Sequence, residues 1–154
     1  MIIIDNVIKN PETYVENVLE NAFVDIEDGE NTFKGIQPRL EDELQKFVLR
    51  IFPNYNVVYN FIRQSPKGQK EPNYIHSDEM MGDKTVLLYL NKKHPSNAGT
   101  TLYNDDETKS CVAYMKYNRL VAFDSHHKHS RNLVENFGSG NDSRLVQVMF
   151  LKLQ

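Results

Sequence analysis

The sequence predicts a mainly β protein, a β-sandwich or jelly roll with two helices ahead of it. Two observations carry this expectation. From residue 57 onward the chain breaks into short apolar runs of strand length, separated at roughly regular spacing by Pro, Gly, Asn and Asp. Ahead of that point, apolar residues recur at helical spacing in two segments. The change of period near residue 55 divides one expected domain, residues 1–154, into a helical flank (1–56) and a jelly-roll core (57–152). With 154 residues, 40% of them hydrophobic, the chain is long and apolar enough for a single core.

Residues 2–4 (III) read as a short buried strand. Asn10-Pro11 reads as a helix start, with Asn as N-cap and Pro at the first position. Tyr14, Val15, Val18, Leu19 and Ala22 then form one face of a helix over 11–22. Asp28-Gly29 marks a hairpin turn between 23–27 and 32–36. Pro38 is expected to open a second helix over 38–52, with Leu40, Leu44, Phe47, Val48 and Ile51 on one side. Strands are expected at 57–63, 74–77, 85–91, 99–103, 112–117, 120–123 and 144–152. The run 85–91 (TVLLYLN) is almost continuously apolar, the pattern of a strand buried on both faces. Residues 65–73, with Pro66, Gly68 and Pro72, read as a loop.

Composition narrows the function. Net charge is −3, with residues 1–50 carrying eleven acids against five bases and residues 51–154 ten against thirteen. That excess is too modest for the basic stripe of a nucleic-acid binder. No run approaches the roughly 18 apolar residues of a membrane span. The N-terminus turns acidic too soon for a signal peptide. Cys111, the single cysteine, has no intramolecular disulfide partner. A cytoplasmic, reducing location is the expectation.

Three local patterns carry chemistry. In Tyr74-Ile75-His76-Ser77-Asp78, a histidine and an aspartate stand two apart, and in an extended strand they share a face where a divalent metal can bridge them. Taken alone, the pair is explained more simply by a polar strand end bonded to its own loop. Next, His126, His127 and His129 crowd together after an apolar strand, either as a solvated loop or as the source of a metal ligand. Finally, Arg144 heads the last strand on the face of Val146, Val148 and Phe150. A charge on a core face needs a partner; an exposed strand end needs none.

In this order the sequence resembles the 2-oxoglutarate- and iron(II)-dependent oxygenases, in their prolyl-hydroxylase-like branch. YIHSD (74–78) precedes TVLLYLN (85–91) much as the His-X-Asp of that branch precedes a strand ending Tyr-Leu-Asn. GTTLY (99–103) is similar to the family's Gly-Gly-X-Thr strand, with Ala98 in place of the first Gly. LVAFDSHHKH (120–129) resembles the strand and loop before the distal histidine. The likeness covers about residues 57–152.

The resemblance implies a double-stranded β-helix with a metal in its mouth. His76, Asp78 and His129 would bind the iron(II), with His127 the runner-up for the third position. Two histidines and one carboxylate on one face, with open positions opposite, is the usual set for non-haem iron(II) oxygenases. Arg144 would hold the distal carboxylate of 2-oxoglutarate, and Tyr89 would donate its hydroxyl to the same group. The reaction would consume O2 and 2-oxoglutarate, hydroxylate a C–H bond and release succinate and CO2. Where some branches place a Ser or Thr two residues after the arginine, this chain has Val146. Arg63, Lys67 and Lys70 would fall near the rim as substrate contacts, or simply be solvated. The substrate would be a protein or peptide side chain, or a small molecule; no aromatic platform for a nucleobase is visible. Two other readings compete. One is a zinc hydrolase built on the same ligands. The other is a non-catalytic metal-binding jelly roll.

Overall fold

Among the described residues, 1–133 and 135–154 of this computed structural model, ten strands form two antiparallel sheets. The elements are β1 (Ile2–Asp5), α1 (Pro11–Glu20), β2 (Val24–Asp28), β3 (Asn31–Pro38), α2 (Glu43–Ile51), β4 (Tyr55–Ser65), β5 (Lys84–Tyr89), β6 (Gly99–Tyr103), β7 (Lys109–Tyr114), β8 (Arg119–Asp124), β9 (Lys128–Arg131) and β10 (Arg144–Leu153). The large sheet runs β1-β8-β5-β10-β4-β3-β2, and the small one β7-β6-β9. This is a jelly roll with two helices outside it. No helix among the described residues is long and apolar enough to cross a membrane.

The large sheet is apolar on both faces because its central strands have two cores to serve. Val86 and Leu88 of β5, Leu120 and Ala122 of β8, and Leu145, Met149 and Leu151 of β10 pack outward with Val18 of α1 and Leu44 and Val48 of α2. The alternate residues Leu87, Tyr89, Val121, Phe123, Val146 and Val148 face inward, against Ala98, Leu102 and Ala113 on the small-sheet side. The continuous apolar run of β5 follows from this double burial. Each fully buried aliphatic side chain is worth about 1.5–3 kcal/mol.

The outer core also encloses a polar knot. Gln147 Nε2 donates to Asp42 Oδ2 at 2.9 Å and to Asn60 Oδ1 at 2.8 Å, and Gln147 Oε1 accepts from the Tyr14 hydroxyl at 2.6 Å. Asp42 also caps α2, accepting from Gln45 N at 3.0 Å, and binds Arg39 Nε at 2.9 Å. Burial pushes the Asp42 carboxyl up, but these donors outweigh it and hold it below its ordinary value.

Several expectations are corrected. Residues 1–56 are more than a helical flank: β1, β2 and β3 belong to the large sheet, and β4 begins at Tyr55, before the expected boundary. The second helix begins at Glu43 rather than at Pro38. Pro38, expected to open the helix, is instead the last residue of β3, paired with Phe61, and Asp42 caps the helix that follows. Strand pairing here overrides the local proline signal. The first helix ends at Glu20. Residues 74–77 make a single bridge, His76 to His129, instead of a strand. The strand expected at 112–117 lies at Lys109–Tyr114, because Asn118, at φ 62°, turns the chain towards β8.

Candidate active site

The mouth of the roll is built by one narrow backbone bridge. His76 N donates to His129 O at 3.0 Å, and His129 N donates to His76 O at 2.8 Å. This exchange sets the two imidazoles side by side, with centroids 4.4 Å apart. Two residues on, Asp78 N donates to Ser125 O at 2.8 Å, which turns the aspartate in toward both rings. Its carboxylate lies 3.0 Å from His129 Nε2 and 3.5 Å from His76 Nε2. His129 is buried, with the Phe123 ring 4.8 Å from its own.

The outer nitrogens settle the tautomers. His76 Nδ1 lies 2.9 Å from Tyr74 O, and His129 Nδ1 lies 3.0 Å from His127 O. A carbonyl oxygen can only accept, so each Nδ1 carries a proton and each neutral ring turns its Nε2 lone pair inward. Two lone pairs and a carboxylate then converge, with ligand atoms within 4.8 Å of one another. Such a point calls for a cation, either a proton or a divalent metal. The hydrogen bond to Asp78 raises the His76 pKa. Burial pushes the Asp78 carboxyl up, but His129 and His76 outweigh it and hold it well below the usual carboxylate range. The donor set fits iron(II), with both imidazoles oriented by backbone carbonyls as bound histidines usually are.

The inner walls carry the charges. In the large sheet Arg63, Val146 and Tyr89 form one cross-strand row, and Arg144 precedes Val146 by two residues on the same face. Arg144 is half-buried, and its guanidinium has no hydrogen bond or ion pair among the described residues. Burial pulls its pKa down to about 10, and the neighbouring Arg131 adds to this. Tyr89 is fully buried, and its hydroxyl shares a 2.7 Å hydrogen bond with Thr100 Oγ1 across the roll.

No family model matches the chain, and no curated protein matches it. Solved structures do. A prolyl hydroxylase from Trichoplax adhaerens, in complex with a hypoxia inducible factor oxygen degradation domain peptide fragment, superposes with a TM-score of 0.68 at 18% identity, over 97% of this chain and 82% of that one. An oxidoreductase of the 2OG-Fe(II) oxygenase family from Burkholderia pseudomallei gives 0.60 at 11%, over 91% and 78%. HygX from Streptomyces hygroscopicus, with iron bound, gives 0.61 at 10%, over 96% and 80%. The fold is that of the 2-oxoglutarate- and iron(II)-dependent oxygenases.

Within this oxygenase fold the remaining candidates separate. His126 and His127 are exposed in the turn before β9, where with Asp124 they form a second cluster whose carboxylate is paired with Lys84. Arg63 does not reach out to the rim. It faces inward with its Nε 3.1 Å from Glu71 Oε1. Lys67 and Lys70 are exposed on the loop. Two residues escaped the sequence reading. Glu71, on a loop read as solvated, is buried, and burial's upward push on its carboxyl is outweighed by Arg63 and its other partners. Arg131 shares the inward face of His129, two residues on. That spacing was a usable signal, obscured because residues 126–129 did not read as the start of a strand.

Proposed function

We propose that this protein is an iron(II)- and 2-oxoglutarate-dependent oxygenase that hydroxylates a protein or peptide side chain. One observation carries the reading. Two Nε2 lone pairs and a carboxylate meet at the mouth, and an inward-facing, unpaired arginine stands on the opposite sheet. His76, Asp78 and His129 would hold the iron. Arg144 would pair with the distal carboxylate of 2-oxoglutarate, and Tyr89, accepting from Thr100, would have its own proton free to donate to the same group. When bound there, iron(II) and 2-oxoglutarate supply the oxidation: one oxygen atom of O2 enters the substrate C–H bond and the other enters succinate, with CO2 released. The protein's own part is to orient the two imidazoles, neutralise the cosubstrate charge and line the pocket with apolar groups.

The peptide assignment has two supports. Tyr74 and Met80 bracket the His76–Asp78 segment, and they are 61% and 94% exposed. The Tyr74 ring also stands 5.0 Å from that of His76. Exposed aromatic and methionine side chains beside a cleft suit a peptide contact. The prolyl hydroxylase of the same fold was solved with a peptide. A zinc hydrolase on these ligands would leave Arg144 without a role. The exposed, unpaired Cys111 accords with a reducing compartment, and we place the protein in the cytoplasm.

Visible spectroscopy of the anaerobic protein with Fe(II) tests the reading. A new weak charge-transfer band on adding 2-oxoglutarate is the expected result. Fe(II) binding with no such band, and no 2-oxoglutarate binding, would sink the assignment.

A further inference from the structure

The interior of the roll holds more positive charge than its side chains neutralise. Arg63, Arg131 and Arg144 face one buried carboxylate, that of Glu71. That carboxylate is fully used. Its Oε1 lies 3.1 Å from Arg63 Nε and accepts from Ser65 Oγ and Gln69 Nε2, both at 2.8 Å. Its Oε2 accepts from Arg131 Nη1 at 3.0 Å. Arg131 Nη1 also donates to Asn136 Oδ1 at 2.8 Å. The other edge of Arg131 differs: Nη2 is buried and has no acceptor among the described residues. A buried guanidinium N–H without an acceptor bears its full desolvation cost.

Arg131 and Arg144 line one small pocket together with Gly99, Leu133, Phe137 and the exposed Glu135. Two guanidiniums on one small pocket, one of them with a free buried edge, call for an anion with oxygens on two sides. A carboxylate has that form.

We propose that Arg131 is a second carboxylate-binding residue, which with Arg144 clamps the distal carboxylate of 2-oxoglutarate from two sides. This rests on the oxygenase reading above. Glu71 holds Arg131 through Nη1 and leaves Nη2 free for an anion, while its negative charge opposes the incoming carboxylate. Removing Arg131 and removing the Glu71 charge therefore act in opposite directions on cosubstrate binding.

The test is calorimetric titration of 2-oxoglutarate into the Mn(II)-loaded protein, with no turnover required. Arg131→Gln is expected to bind 2-oxoglutarate tenfold or more weakly, with Mn(II) affinity retained, and Glu71→Gln is expected to bind it more tightly than wild type. If Arg131 only braces the loop through Glu71, both variants lose affinity together, and the proposal falls. Unchanged affinity in Arg131→Gln overturns it as well. If wild type binds Mn(II) but not 2-oxoglutarate, the oxygenase reading fails and this inference falls with it; loss confined to Arg144→Ala overturns the second-residue proposal alone. Should circular dichroism show that Arg131→Gln does not fold, Arg131→Lys carries the test. It keeps the charge opposite Glu71 but has no second edge, so binding at least threefold weaker is expected, and wild-type affinity overturns the proposal.

Discussion

His129 differs from its neighbours His126 and His127 through backbone hydrogen bonding rather than imidazole chemistry. The paired bonds with His76 carry its ring inward, while the turn at 124–127 leaves the other two exposed. Alanine variants should follow that division: His129→Ala loses Fe(II) binding, and His126→Ala and His127→Ala keep most of it. Calorimetry or a competition dye reads this directly, and loss in His127→Ala alone would reverse the assignment. The same site gives a pH signature in the metal-free protein. The His76 pKa is raised, so its contribution to stability is complete below the unfolded value of about 6.5 and fades as pH rises through the folded value. The Asp78 pKa is lowered, so its contribution is complete above the unfolded value of about 3.9 and fades as pH falls through the folded value. Both contributions overlap between about pH 4 and 6.5. Asp78→Asn should therefore lose most stability, relative to wild type, inside that window, as read by urea denaturation across pH. A difference that keeps growing above pH 7 would contradict the pairing.

Strand β6 stands at the centre of the small sheet and presents Thr100 and Leu102 to the interior, and its start depends on Gly99. That residue has φ 143°, and a Cβ there would meet Ala113 O at 2.1 Å. Both the backbone conformation and the approach of β7 exclude a side chain. Gly99→Ala should destabilise the fold by more than about 1 kcal/mol and weaken 2-oxoglutarate binding, because the same residue lines the pocket of Arg131 and Arg144. Thermal denaturation together with a binding isotherm checks both parts. A neutral effect would mean that β6 and β7 separate more easily than their register indicates. In the Gly-X-Thr likeness noted in the sequence, the glycine admits the facing strand, Thr100 at the X position reaches Tyr89 across the roll, and the motif's Thr101 donates to Asn132 Oδ1.

The first third of the chain is woven into the large sheet. β1 closes the β8 edge, β3 covers the β4 edge, and Val18, Leu44 and Val48 are fully buried in the outer core. Those three side chains alone contribute about 1.5–3 kcal/mol each, a large part of the roughly 5–15 kcal/mol that holds a typical domain together. A chain cut to residues 57–154 should not fold. Far-ultraviolet circular dichroism and one-dimensional NMR check this, and a folded, metal-binding fragment would show that the helices and β1–β3 are dispensable.

What the order of residues already contained is local. A spacing of two residues marked His76 with Asp78, and strand alternation put Arg144 with Val146. Doubly apolar runs marked the central strands, and Asn10-Pro11 marked a helix start. The ordered set of motifs already resembles that of the oxygenase fold. Each of these depends on neighbours a few residues apart, whose geometry the backbone period dictates. What needed the folded chain is non-local. Pro38 became a strand end because β4 lay beside it, a pairing no local window contains. The choice of His129 over His127 depended on a hydrogen-bonded bridge to a residue more than fifty positions earlier. Glu71 looked like one more charge on a polar loop, and Arg131 like the end of a histidine-rich turn. Only when sheet register brings the loop against β4 and β9 does the carboxylate meet both arginines, and only then do Arg131 and Arg144 line one pocket. Charge pairing depends on distances through space, and those follow from strand register rather than from spacing along the chain.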